Sequence, residues 1–228
     1  MSVANPERVL GRVGLVGDVH AEDVTLARVL DEFKQLGVPD VLCVGDLADG
    51  MGDVNRVCAL LEDNQVITVI GNHDRWLLSG EKREDKEATH VRAPTARSRK
   101  YFDSLPTTRV FDTPRGRLLL CHGVGDDDLS SVKRDHLRHD LERNDALKRV
   151  LANNRYDFMI NGHTHQTMVR RVRHLTIINA GTLHRRYEPR AGIADFEKGL
   201  VTFYEVGESR FTPVEEVPLP DVDEWSRT

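Results

Sequence analysis

VGLVGDVHAEDVTLARVLDEFKQLGVPDVLCVGDLADGMGDVNRVCALLEDNQVITVIGNHD, residues 13–74, decides the fold. It holds three short apolar runs, each closed by polar and ionisable residues. Residues 13–16 end in Gly17-Asp18-Val19-His20, residues 41–44 in Gly45-Asp46, and residues 66–70 in Gly71-Asn72-His73-Asp74. Short runs rich in β-branched residues read as strands. Strands covered on both faces have near-continuous apolar sequence rather than alternation. Between them, residues 22–36 carry Val24, Leu26, Ala27, Leu30, Phe33 and Leu36 near a 3.6-residue spacing, and Gly37-Val38-Pro39 stops the helix. Residues 54–61 form a shorter helical segment. The order β-α-β-α-β predicts parallel strands with right-handed crossovers, an α/β fold. In such sheets ligands gather beyond the carboxyl ends of the strands, which is where each polar cluster falls.

The same punctuation recurs further along. Residues 118–121 end in His122-Gly123, and residues 158–160 in Asn161-Gly162-His163-Thr164-His165. More strands are expected at 168–173, 175–179 and 200–206. Two segments interrupt the alternation. Residues 79–100 are highly charged, and residues 129–151 place leucines and Val132 among charges as an amphipathic helix would. Within the wider segments 75–110 and 124–155, these are expected to be peripheral elements near the mouth of a site. Residues 1–206 are expected to form a single domain. Residues 207–228, acidic and interrupted by Pro213, Pro218 and Pro220, read as a poorly packed tail.

Composition fits a globular protein: 228 residues, 39% hydrophobic, 30% charged, net charge −5. Cys43, Cys58 and Cys121 form no CxxC pair and read as small buried hydrophobes in a reducing compartment. No run approaches the ~18 apolar residues of a membrane span, and the N-terminus lacks a signal pattern, so a cytoplasmic protein is expected. The acidic balance and an aromatic content of 6% disfavour a nucleic-acid partner.

The strand ends collect Asp18, His20, Asp46, Asn72, His73, Asp74, His122, His163 and His165, five of the chain's ten histidines among them. Burying so many ionisable groups together is costly without compensation, and metal cations supply it. The donors are oxygen and imidazole nitrogen. They suit manganese, iron, cobalt, nickel or zinc better than calcium or a closed structural zinc site. Seven ligands exceed what one metal with an open position needs and fit two metals sharing a carboxylate.

Taken in order, Asp18-Val19-His20, Gly45-Asp46, Gly71-Asn72-His73-Asp74, His122-Gly123 and Gly162-His163-Thr164-His165 resemble the five motifs of the calcineurin-like metallophosphoesterase superfamily. The resemblance spans roughly residues 14–182. It implies a sandwich of two mixed β-sheets flanked by helices, with a binuclear centre, manganese foremost, at the strand carboxyl ends. It also implies roles. Asp18, His20 and His165 would bind one metal, Asn72, His122 and His163 the other, and Asp46 both. His73 would protonate or stabilise the leaving oxygen, and Asp74 would orient His73. The implied activity is hydrolysis of a small phosphomonoester or phosphodiester by a hydroxide held between the metals.

The segment Asn179-Ala180-Gly181-Thr182 resembles an Asn-x-Gly-Ser/Thr element of small bacterial members and is expected to wall the site, with Thr182 a candidate contact. His184 is either a substrate contact or a surface residue. Arg97, Arg99 and Lys100 read as a solvated face, and His90, His136, His139 and His174 have no motif context. Two positions depart from the family pattern: Ala21 follows the first motif where many members carry glycine, and Gly50 stands where protein phosphatases and diadenosine tetraphosphatases carry an arginine after Asp49. The missing guanidinium argues against those two functions. A scaffold of the same fold, such as the retromer subunit, and a nuclease are the alternatives. A scaffold has no need of His73. Oligomeric state is left open.

Overall fold

The computed structural model of the protein describes residues 3–81, 84, 86–208 and 210–220, with the backbone alone for 3–8. Two six-stranded sheets pack face to face. One runs β12 (Phe211–Pro218), β11 (Leu200–Val206), β10 (Arg190–Asp195), β2 (Arg12–Val16), β3 (Asp40–Cys43), β4 (Ile67–Thr68). The other runs β1 (Val3–Val9), β5 (Thr108–Thr113), β6 (Gly116–Cys121), β7 (Phe158–Asn161), β9 (Leu175–Ala180), β8 (Thr167–Val172). Both are mixed. β2, β3 and β4 are parallel in the first, and β6, β7 and β9 in the second.

The apolar runs are continuous because each strand serves two cores. Val13 and Leu15 of β2 enter the core between the sheets, whereas Val16 faces the helices. Leu118 and Leu120 of β6 join the central core, and Leu119 and Cys121 an outer one. Helices α1 (Asp23–Gln35) and α2 (Val54–Asp63) cover the first sheet. Phe33 of α1 lies over Gly14, where any β-carbon would collide with its ring. Removing that fully packed ring would cost roughly 3–5 kcal/mol. Helix α6 (Asp145–Ala152) covers the second sheet through Ala146, Leu147 and Val150. All three cysteines are buried and free. Among the described residues, no helix is long and apolar enough to cross a membrane.

Two expectations are corrected. Residues 129–151 are not one helix. Leu129 and Leu137 are exposed, and only α5 (Arg138–Arg143) and α6 are helical. Asn144 interrupts them with extended backbone, and its Oδ1 accepts the Leu147 N–H at 2.8 Å, capping α6 instead of continuing α5. The expected tail contains β12, an edge strand antiparallel to β11. Its prolines fit because an edge strand tolerates missing donors. Pro213 lies where the register shifts, and Pro218 ends the strand. Residue 209 and residues 221–228 of that tail lie outside the described residues. Strands β1, β5 and β10, and two further helices, α3 (Asn72–Ser79) and α4 (Ala96–Ser104), complete the fold.

Candidate metal centre

Six loops converge at one end of the sandwich, from the carboxyl ends of β2, β3 and β4 and of β6, β7 and β9. They turn sharply. His20 (φ 47°), Ala21 (55°), Asp46 (49°), Asp49 (66°), His163 (67°) and His165 (60°) all have left-handed backbone. A side chain in that conformation costs on the order of 1–2 kcal/mol, and such strain clusters at functional sites. Backbone bonds between loops hold the turns: Val19 and His20 both donate to the Asp46 carbonyl (3.0 and 2.8 Å), and Ala21 to that of Leu47 (2.8 Å). Gly71 must be glycine, because a β-carbon there would strike the Asp46 backbone and carboxylate.

The sequence-predicted ligands meet in two groups. The ligand atoms of Asp18, His20 and His165 lie within 4.8 Å of one another, and so do those of Asp46, His122 and His163. A third such group, His20, Asp46 and His73, puts Asp46 between the two. In the first group His20 Nε2 is 3.0 Å from His165 Nε2, which is 3.2 Å from Asp18 Oδ2. In the second, Asn72 Oδ1 lies 2.8 Å from His122 Nε2 and 3.0 Å from His163 Nδ1, and His122 Nε2 lies 3.3 Å from Asp46 Oδ2. Two imidazoles are fixed from behind: His20 Nδ1 donates to the Asp49 carbonyl (2.9 Å) and His122 Nδ1 to that of Val44 (2.8 Å). Both therefore aim Nε2 into the site.

These residues fit divalent cations. Asp18 Oδ2 is buried and receives no hydrogen bond. Asn72 Oδ1 faces two imidazole nitrogens, an arrangement of acceptors that a cation would satisfy; turned over, the amide would donate to the same two nitrogens. The protein's own charges are strained in the same sense. Burial raises Asp18 and Asp74 to about 7, with the Asp46 charge adding to the rise. Burial also pushes Asp46 up, but the His122, His73 and His20 charges outweigh it and hold this carboxyl below the ordinary range. Burial lowers His20, His163 and His165, the last to about 3 with His20 contributing. A neutral imidazole is the form that binds a metal. His122 moves the other way, to about 10, because the Asp46 and Asp18 carboxylates overcome its burial. Bound cations would reverse that rise.

His73 projects from the first turn of α3, and its N–H donates to Asp46 Oδ1 at 2.9 Å. The expectation that Asp74 orients it is corrected. Asp74 is wholly buried and turned backwards. Its Oδ1 accepts Leu47 and Ala48 N–H (2.7 and 3.0 Å), and its Oδ2 accepts that of Gly71 (3.0 Å). It braces the loops. The residue on His73 is Asp49, whose Oδ2 lies 2.7 Å from His73 Nδ1. Burial lowers His73, but the Asp49 bond and the Asp46 charge outweigh it, and the net shift is upward. Asp49 is held in turn by Thr89: its N–H donates to Thr89 Oγ1, and Thr89 N–H donates to Asp49 Oδ1, both at 2.8 Å. The signal was present in the sequence, since Asp49 follows Asp46 by three residues in the same strand-end loop.

The opposite wall follows β9. Asn179 Nδ2 donates to the Gly162 carbonyl (2.6 Å), and Thr182 Oγ1 donates to that of Asp18 (2.8 Å), so Thr182 braces a ligand loop. His184 is buried, its ring centroid 5.0 Å from that of His20, and its Nε2 lies 3.4 Å from Glu87. Arg186 also pairs with Glu87 (2.7 Å). The charged segment thus reaches the mouth through Glu87 and Thr89. Arg97 pairs with Glu62 and Asp63 on α2 instead. His90, His136, His139 and His174 join none of the ligand groups among the described residues.

Comparison with known proteins agrees with this fold. A family model described as the calcineurin-like phosphoesterase superfamily domain matches residues 12–199. An uncharacterized protein, MJ0912 of Methanocaldococcus jannaschii, is 29% identical over 73 residues. That match covers 32% of this chain and 30% of the relative's length. Among solved structures, hypothetical protein PH1004 of Pyrococcus horikoshii superposes with a TM-score of 0.71 at 13% identity, over 86% of this chain and 87% of that one. A metallophosphoesterase of Sphaerobacter thermophilus gives 0.64 at 20% identity, over 88% and 89%. A single mutant of Vps29 from Entamoeba histolytica gives 0.54 at 19% identity, over 92% and 99%.

Proposed function

The chain belongs to the calcineurin-like phosphoesterase superfamily, and we propose that it is a binuclear metal-dependent hydrolase of a small phosphate ester. One observation carries this reading: two groups of ligand atoms meet at Asp46, beside an imidazole whose far nitrogen is held by a carboxylate. Asp18, His20 and His165 would hold one ion, Asn72, His122 and His163 the other, and Asp46 both. Manganese is our first choice, and iron, nickel, cobalt and zinc also suit the donor set. When bound, two such ions supply Lewis acidity and a water acidic enough to act as nucleophile near neutral pH.

The chain's own residues do the rest. Asp49 takes the Nδ1 proton of His73 as hydrogen-bond acceptor, which leaves Nε2–H as the donor to a departing ester oxygen. Burial opposes the imidazolium, but the Asp49 bond and the Asp46 carboxylate outweigh it and favour the charged form of the acid. Asp74 and Thr182 keep the loops from relaxing, which preserves distances set at strained backbone. A non-catalytic scaffold would require neither His73 nor its partner Asp49.

The test is hydrolysis of p-nitrophenyl phosphate and bis-p-nitrophenyl phosphate by metal-stripped protein, titrated with Mn, Ni, Co, Zn and Mg, beside His73→Ala. Metal-dependent turnover that falls in the variant supports the enzyme. Protein that binds two ions and hydrolyses neither ester with any metal would move the reading to a scaffold.

A further inference from the structure

The site is crossed by a row of rings. Trp76 lies 4.9 Å from His73, His73 5.0 Å from His20, and His20 4.9 Å from His165 and 5.0 Å from His184, centroid to centroid. Tyr187 closes the row, 4.7 Å from His165 and 5.6 Å from His184, both edge-on. His73 and Trp76 are therefore at one end and Tyr187 at the other, with two proposed metal ligands, His20 and His165, between them. With His73 marking the side of the leaving group, the Tyr187 end is left for a second ester substituent.

That second side has room. A cavity of about 540 Å³ opens beside His165, lined also by Gln166, Thr167, Tyr187 and Arg190. Its arginines are already matched by carboxylates: Arg190 with Glu188 (2.7 Å) and Glu205 (3.5 Å), and Arg134 with Glu215 (3.4 Å). With three carboxylates against two arginines, the charges there do not favour a second phosphate. A neutral flat group would find Tyr187, a residue 54% exposed whose ring stands nearly perpendicular to two imidazoles. Aromatic rings present such a surface with little conformational cost.

We infer that the substrate is a phosphodiester whose non-leaving substituent carries a neutral flat ring, aryl or nucleobase, seated on Tyr187 in the cavity beside His165. This deepens the phosphoesterase reading and rests on it.

The test uses the manganese-loaded full chain and two matched pairs of compounds. The first pair, phenyl p-nitrophenyl phosphate and methyl p-nitrophenyl phosphate, shares one leaving group, so their ratio of kcat/KM reports the second substituent alone. The second pair, diphenylphosphinate and dimethylphosphinate, carries its substituents on P–C bonds, has no ester to hydrolyse, and is read as a ratio of Kd by calorimetry. The wild type is expected to favour the aryl member of each pair. Tyr187→Ala should cut both preferences roughly tenfold, the scale of one ring stacked on an aromatic side chain. Tyr187→Phe should keep them. Equal preferences in wild type and Tyr187→Ala would overturn the inference, as would a wild type that favours the methyl members. Failure of the parent reading looks different: no hydrolysis of either ester by the wild type, with the phosphinate ratios then deciding the Tyr187 surface alone.

Discussion

The loops after β2, β3 and β4 and those after β6, β7 and β9 both deliver candidate metal ligands, yet they differ in build. The first set supplies Asp18, His20, Asp46 and Asn72 together with His73 and Asp49. It carries four of the left-handed residues, His20, Ala21, Asp46 and Asp49, and is stitched by backbone bonds to Asp46 and by the buried Asp74 carboxylate. The second set supplies His122, His163 and His165, and past β9 it opens into His184, Tyr187 and a cavity. The proposed proton donor stands on the first set alone, whereas the cavity beside Tyr187 is lined from both sheets, by Thr167 of β8 and by Arg190 and Glu215 of β10 and β12. Changes in the first set should therefore act on kcat and metal binding, and changes past β9 on substrate preference.

The largest effect expected on that division comes from Asp46→Asn. It should weaken both ions together by more than the roughly ten- to hundredfold typical of residues around a metal's ligands. Metal analysis after dialysis reads this, and full retention of both ions would remove Asp46 from the shared position. His73→Ala is next. It should keep both ions but lose roughly 10²–10⁴ in kcat on esters with poor leaving groups, and less on p-nitrophenyl esters. An equal loss on both classes would show that His73 does not protonate the leaving oxygen.

Asp49→Asn and Asp74→Asn separate two carboxylates of the same region. Asp49 raises His73, so the protonated imidazole persists to higher pH. Without that carboxylate, the basic limb of kcat/KM should move to lower pH, with activity down roughly ten- to hundredfold. Asp74→Asn puts an amide NH₂ against backbone N–H groups and should cost about 1–3 kcal/mol of stability in denaturant unfolding, while moving the basic limb less than Asp49→Asn does, because Asp74 acts on His73 by charge without a hydrogen bond. A larger shift of that limb in Asp74→Asn than in Asp49→Asn would restore Asp74 as the partner of His73. The smallest effect lies outside the site. Gln65 is exposed with φ 54° and supplies no ligand, so Gln65→Gly should raise stability by up to about 1 kcal/mol. The strained ligands cannot be relieved in that way without losing a donor.

The fold and the clustering of the expected ligands were legible because buried parallel strands announce themselves as apolar runs, and because their carboxyl ends are where polar side chains gather. All seven expected ligands meet at one end of the sandwich. The partner of His73 was misread because sequence adjacency is a poor guide at a helix start. Side chains at 73 and 74 leave α3 in different directions, and Asp74 turns back to bond Gly71, while Asp49 approaches from another loop. β12 was hidden by prolines that an edge strand tolerates, and β10 by its small residues, Ala191, Gly192 and Ala194. His184 and Tyr187 follow no motif; only the packing of the β9 loop against His20 and His165 brings them to the site.

The most direct measurement of the central claim is a titration of metal-stripped protein with manganese, following bound ions per chain and hydrolysis of bis-p-nitrophenyl phosphate in the same samples. Two ions per chain, with turnover rising as the second one binds, is the expected result. Full turnover in the metal-stripped protein, or saturation at a single ion with full turnover, would contradict a centre built from both sheets.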